Sequence, residues 1–163
     1  MKVIKTISIG IACLWAVGCI GAGCLYVLGY RLYNIPTSAM QPTIMKGGII
    51  VGCLSESYRS NIKRFDLVIY RTPLVPDQIY VKRVIGLSGE RITVKEESVL
   101  IDGQKLRLPP AVHLKGLGKK KCQMLVPADE VFILGDYTMD SLDSRYIGPI
   151  AKTDVLGYVL FKE

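Results

Sequence analysis

The feature that most constrains this chain is a run of 25 residues, Thr6 to Tyr30, without a single charge. A helix rising about 1.5 Å per residue needs about 20 apolar residues to cross a bilayer core. The run is therefore long enough to span. It is longer than the apolar core of a cleaved export signal, about 7–15 residues, and the rest of the chain is too small to surround it as a buried helix. Lys2 and Lys5 precede it and Arg31 follows, a bias that favours an N-terminus on the cytoplasmic side. The organisation expected is a cytoplasmic N-terminus (1–5), a transmembrane anchor (6–30) and one extracytoplasmic domain (31–163).

Beyond Arg31 the pattern changes to short runs rich in Val, Ile and Tyr: Ile49–Leu54, Asp66–Tyr70, Ile79–Leu87, Arg91–Lys95, Val99–Asp102, Glu130–Leu134 and Val155–Phe161. Gly, Pro, Asn or Asp bound most of them. Such runs read as strands, and Asp102-Gly103 reads as a hairpin turn. No long helical period follows the anchor, so the domain is expected to be mainly β. Lys105 to Lys121, with Pro109-Pro110 and the Lys119–Lys121 run, reads as a surface insertion.

Composition excludes several classes. The net charge of +7 comes from scattered Lys and Arg with no accompanying nucleic-acid motif, so no nucleic acid is expected; anionic membrane lipid is a possible partner. No Cys/His cluster has zinc spacing, and neither a metal nor a cofactor is implied. The single histidine, His113, lies in the insertion, which argues against a Ser-His-Asp triad. Cys13, Cys19 and Cys24 belong to the apolar run; Cys53 and Cys122 lie in the domain, where spacing alone leaves pairing and free thiols both open.

A serine peptidase without histidine can use lysine as its general base, provided burial lowers the lysine pKa from about 10.4. Lys82 sits in such a setting, Ile79-Tyr80-Val81-Lys82-Arg83-Val84-Ile85. Strand alternation sends Lys82 and Arg83 to opposite faces.

Three segments together resemble the type I signal peptidases. Ile35-Pro-Thr-Ser-Ala-Met-Gln-Pro-Thr-Ile44 is similar to the nucleophile pattern Ser-Met-x-Pro-Thr, with Ala39 on the serine. Lys82 to Glu90 resembles Lys-Arg-x-x-Gly-x-x-Gly-Asp. Gly135 to Gly148 resembles the Gly-Asn/Asp-Asn-…-Ser-x-Asp-Ser-Arg-x-x-Gly signature, with Tyr137 and Asp140 in place of asparagines. The resemblance implies a signal-peptidase-type antiparallel β fold with one N-terminal transmembrane helix. It implies a Ser/Lys dyad in which Lys82 activates the residue at position 39. Thr37 and the position-39 amide would stabilise the oxyanion, Ser141 would orient Lys82 by a hydrogen bond, and Asp143 with Arg145 would form a supporting ion pair. Met40 and Pro42 would flank the substrate cleft. The implied substrates are signal peptides of exported preproteins, cut after a small residue at the outer face of the cytoplasmic membrane.

Ala39 has no hydroxyl to attack a carbonyl. The chain therefore reads either as a peptidase inactivated by a serine-to-alanine replacement in an otherwise intact site, or as a natural pseudopeptidase that binds secreted or pilus-type precursors without cutting them. Ser38 is one residue displaced and is expected to point away from Lys82 in extended backbone. Because few residues separate the anchor from position 39, Met40, Ile44 and Met45 are expected on a membrane-facing surface.

Overall fold

The computed structural model describes residues 23–72, 75–95, 98–110 and 121–162, together with 19, 21 and 112. Most of the apolar run, His113 and nearly all of the Lys-rich insertion lie outside the described residues. Among the described residues no helix is long and apolar enough to cross a membrane. Residues 23–27 are helical. The helix stops at Gly29, where φ is +88°, a conformation glycine adopts without the Cβ penalty of other residues. A Cβ there would sit 2.5 Å from the Leu54 carbonyl oxygen. The Gly29 carbonyl accepts from the Leu54 amide at 2.9 Å, and the next residue opens the first strand. The run expected to continue as anchor through residue 30 therefore hands over to sheet one residue early.

Among the described residues eleven strands follow, and two antiparallel sheets hold them. β1 (Tyr30–Asn34), β2 (Ile49–Leu54), β3 (Leu67–Thr72), β4 (Val75–Gly86), β9 (Glu130–Leu134), β10 (Ile150–Ala151) and β11 (Val155–Lys162) form the larger sheet, in the order β1-β2-β11-β3-β4-β9-β10. β5 (Arg91–Val94), β6 (Val99–Ile101), β7 (Gln104–Lys105) and β8 (Cys122–Leu125) form the smaller, in the order β7-β6-β5-β8. All seven expected strands are present with small shifts at their ends. Asp102 and Gly103, both at positive φ, turn β6 into β7, the backbone a two-residue hairpin with right-handed strand twist requires.

The core explains why β4 can carry two charged residues. Val81 to Gly86 are all buried, so both faces of this strand are covered. Val84 packs with Val131 and Ile133 on one side, Ile85 with Phe132 and Leu134 on the other, and Val81 with Met40, Ile50 and Ile69. This is the period-2 alternation of a central strand between two apolar layers.

Met40 and Ile44 correct an expectation. Each is 1 % exposed and belongs to the core beneath β2 and β4, because burying each apolar side chain favours folding by roughly 1.5–3 kcal/mol. Neither is available to a membrane-facing surface; of the three residues expected there, only Met45 is exposed.

Candidate active site

The segment between β1 and β2 carries position 39. Its ends are tied, Ile35 N–H to the Gly48 carbonyl at 3.0 Å and Gly47 N–H to the Ile35 carbonyl at 2.7 Å. Between them the chain makes tight turns, with Gln41 N–H bonded to the Ser38 carbonyl and Ile44 N–H to the Met40 carbonyl, both at 2.9 Å. The Gln41-Pro42 peptide bond is cis. Met40 and Ile44 plug this loop into the core, and Ala39 beside them is 4 % exposed. Thr37 and Pro42 stay at the surface.

Lys82 lies on β4 opposite Val68 and is 4 % exposed. Burial pushes its pKa below the ordinary lysine value, while the nearby carboxylates of Asp143, Asp136 and Asp140 act in the opposite sense. A neutral amine is the form that can take a proton from a nucleophile. Arg83, next along the strand, leaves by the other face. Its Nε and Nη2 donate to the two Asp136 carboxylate oxygens at 2.7 and 2.6 Å, its Nη1 to the Phe65 carbonyl at 2.8 Å and its Nη2 to Thr43 Oγ1 at 3.3 Å. Arg83 thereby joins β4, the loop carrying position 39 and the segment after β9.

That segment, 135–147, forms the floor. Asp143 caps the one-turn helix Ser144–Ile147 and accepts from Gly135 N–H at 3.1 Å. The Arg145 Nε and Nη2 donate to it at 2.8 and 3.0 Å, and both side chains are fully buried. Arg145 Nη2 also donates to the Thr138 carbonyl at 2.7 Å and to that of Ser141 at 3.4 Å. The pair thus fixes the backbone on both sides of Ser141. The loop carrying position 39 docks directly on this floor: Tyr137 N–H donates to the Ala39 carbonyl at 3.0 Å. A Cβ placed on Gly135 would lie 2.3 Å from Ser141 Oγ and 2.7 Å from the Ala39 carbonyl oxygen, so only glycine lets the two approach.

One detail differs from the sequence reading, and one contact goes beyond it. Ser141 Oγ is buried and makes no hydrogen bond with any described residue; the expected bond to Lys82 is not formed, because the hydroxyl is turned against Gly135. Ser38, expected to point away from Lys82, donates its hydroxyl to the Asp140 carboxylate, a contact that locks the residue before position 39 to the floor. The sequence reading also gave no role to Asp136. Its signal was present, since Arg83 in a strand apolar on both faces requires a buried acid.

A cleft with about 120 Å³ of free space runs beside the loop, lined by Tyr33 to Thr37, Met40 and Gln78 to Lys82. Pro42, expected to flank it, is exposed and not part of its lining. The β4–β9 ladder begins at Arg83↔Leu134, so the Gln78–Lys82 stretch overhangs that ladder along the cleft. Cys53, on β2, and Cys122, on β8, lie on strands of different sheets and are not joined by a disulfide.

Comparison with known proteins agrees with this geometry. The family model described as signal peptidase, peptidase S26, matches residues 6–162. The chain is 30% identical over 144 residues to signal peptidase I V of Bacillus subtilis (strain 168), covering 78% of this chain and 82% of that protein. It is 32% identical over 147 residues to mitochondrial inner membrane protease subunit 1 of Mus musculus, covering 89% and 75%. A crystal structure of a signal peptidase I from Enterococcus faecalis V583 superposes with a TM-score of 0.53 at 25% identity, over 61% of this chain and 97% of that one. Match length, identity and fold together place this chain in the peptidase S26 family, among the type I signal peptidases.

Proposed function

We propose that this chain is built for cutting signal peptides from exported preproteins by a Ser/Lys dyad, at the outer face of the cytoplasmic membrane, with residues 6–30 as a single anchor. The observation that carries the reading is Lys82: an amine buried in a central strand, at the end of a cleft whose other wall is the loop carrying position 39. An extended precursor would lie along Gln78–Lys82, held mainly by main-chain hydrogen bonds. A serine hydroxyl at position 39 would attack the scissile carbonyl as Lys82 takes its proton. The position-39 N–H and the Thr37 hydroxyl would receive the oxyanion. Lys82 would then activate the water that releases the acyl group.

Ala39 removes the attacking oxygen and leaves the base, the oxyanion donors and the cleft. We read it as a serine-to-alanine replacement that closes the acyl-enzyme route. The second reading, a pseudopeptidase that holds secreted or pilus-type precursors, draws on the same intact cleft and on Ser38, whose hydroxyl is occupied by Asp140. Ala39→Ser separates them. In a membrane reconstitution with a preprotein, the Ala39→Ser form is expected to process the precursor, and adding Lys82→Met to abolish processing. A well-folded Ala39→Ser form that binds precursor and leaves it intact overturns the peptidase reading in favour of the binding one.

A further inference from the structure

We propose that Ser38 and Asp140 are positioning residues for the reaction: their hydrogen bond is the second of two ties that hold position 39, and with it the position-39 N–H, at a fixed angle to the floor of the site. The inference rests on the reading of the cleft given above and adds two residues to it. Position 39 meets the floor on both sides. On its C-terminal side the Ala39 carbonyl accepts from Tyr137 N–H at 3.0 Å. On its N-terminal side the Ser38 hydroxyl donates to the Asp140 carboxylate. Both partners belong to one short turn. Asp140 ends the 3-10 helix Thr138–Asp140, Tyr137 caps it, and Asp140 N–H donates to the Tyr137 carbonyl at 3.3 Å. The turn is itself anchored, because Arg145 Nη2, from the fully buried pair with Asp143, donates to the Thr138 carbonyl at 2.7 Å.

A single hydrogen bond is a pivot. With the Tyr137 contact alone, the loop can swing about it and carry the position-39 N–H along. A second tie one residue away removes that rotation. The peptide group holding this N–H has the Ser38 carbonyl at its other end, and that carbonyl accepts from Gln41 N–H at 2.9 Å. Side chain and main chain of Ser38 thus fix the same unit. An oxyanion donor is effective only when it is aimed before the charge develops, and a misplacement of about 1 Å can cost about 10²-fold in rate. Neither Ser38 nor Asp140 lines the cleft, so the bond serves the rate of the reaction and leaves precursor affinity alone.

The test uses the full chain with Ala39→Ser as the reference, in detergent micelles, and a fluorogenic peptide with alanine immediately before the scissile bond and at the second residue before that alanine. Ser38→Ala and Asp140→Ala, each added to the reference, should lower kcat about tenfold or more, a part of the 10²–10³-fold that a whole oxyanion donor supplies, with KM little changed. The double variant should be no slower than the slower single one, because both changes remove the same bond. Asp140 is also one of three carboxylates acting on Lys82, so each variant is compared at the plateau of its own pH profile. Asp140→Asn removes that charge and keeps an oxygen that accepts from Ser38; it should restore most of the kcat lost in Asp140→Ala. In the unaltered chain, Ser38→Ala should speed amide exchange at Tyr137 and Gln41 and leave Ile133 as it was. An undiminished kcat in either single variant, losses that multiply in the double one, a loss carried by KM, or Asp140→Asn as slow as Asp140→Ala overturns the proposal. If the reference cleaves and Ser38→Ala loses nothing, only this inference fails; if the reference cleaves nothing, the assignment of the cleft fails and this inference with it.

Discussion

Arg83 and Asp136 form a two-pronged ion pair, at 2.7 and 2.6 Å, in which the carboxylate is fully buried and the guanidinium nearly so. It joins β4 to the loop after β9, one residue from Lys82 and next to Tyr137, whose N–H donates to the Ala39 carbonyl. Removing one member strands a charge in the interior, which costs about 3–5 kcal/mol. Asp136→Asn should therefore lower the melting temperature by about 10 °C at this chain length, as read by calorimetry. Replacing both residues with apolar ones, Arg83→Met with Asp136→Leu, should recover much of that loss. A single variant as stable as the parent would show that the pair contributes nothing.

Gly135→Ala places a methyl group 2.3 Å from Ser141 Oγ and 2.7 Å from the Ala39 carbonyl oxygen. One of the two must retreat. In an Ala39→Ser background we expect at least a tenfold fall in kcat, with stability lowered by about 1–3 kcal/mol and an unchanged far-UV circular dichroism spectrum. Full activity in this variant would mean that the loop and the floor need not touch.

The pH dependence of stability has a definite sign. Folding lowers the Lys82 pKa below 10.5, so the unfolded chain binds the proton more readily than the folded one. The burden is complete below the folded pKa and is relieved as pH rises toward the unfolded value. Lys82→Met should consequently raise the melting temperature most at neutral and acidic pH, and the gain should shrink as pH approaches about 10.4. A gain that grows with pH would show that the folded lysine is favoured in its charged form.

Membrane placement is open to a direct measurement. The full chain should float with phospholipid vesicles on a density gradient and resist alkaline carbonate, whereas a chain lacking residues 1–22 should not resist carbonate. Extraction of the full chain by carbonate would rule out a spanning anchor.

Seven strands, β2 to β6, β9 and β11, were legible because each alternates or runs apolar between breaking residues. The strands that were not legible lacked that contrast. Tyr30–Asn34 adjoins the apolar run and merges with it by composition; Cys122–Leu125 follows a lysine run and buries alternate residues only partly; Ile150–Ala151 and Gln104–Lys105 are two residues long. At the site, Lys82, Asp143 and Arg145 could be named from motif spacing. The contact between Ser38 and Asp140 could not, because it joins residues 102 apart in sequence and depends on how tightly one loop docks on another. Met40 and Ile44 were misplaced for a related reason: closeness to the anchor along the chain says nothing about which side of a loop turns inward.

Gly29 leaves the domain no slack. The helix ends, one glycine turns the backbone, and the following residue is already hydrogen-bonded into the sheet. A flexible leash would let the cleft sample many heights and angles relative to the helix axis. This junction works instead like a welded bracket: the helix that precedes it dictates where the cleft points, and lengthening the joint by even a few flexible residues would trade a fixed reach for a roaming one.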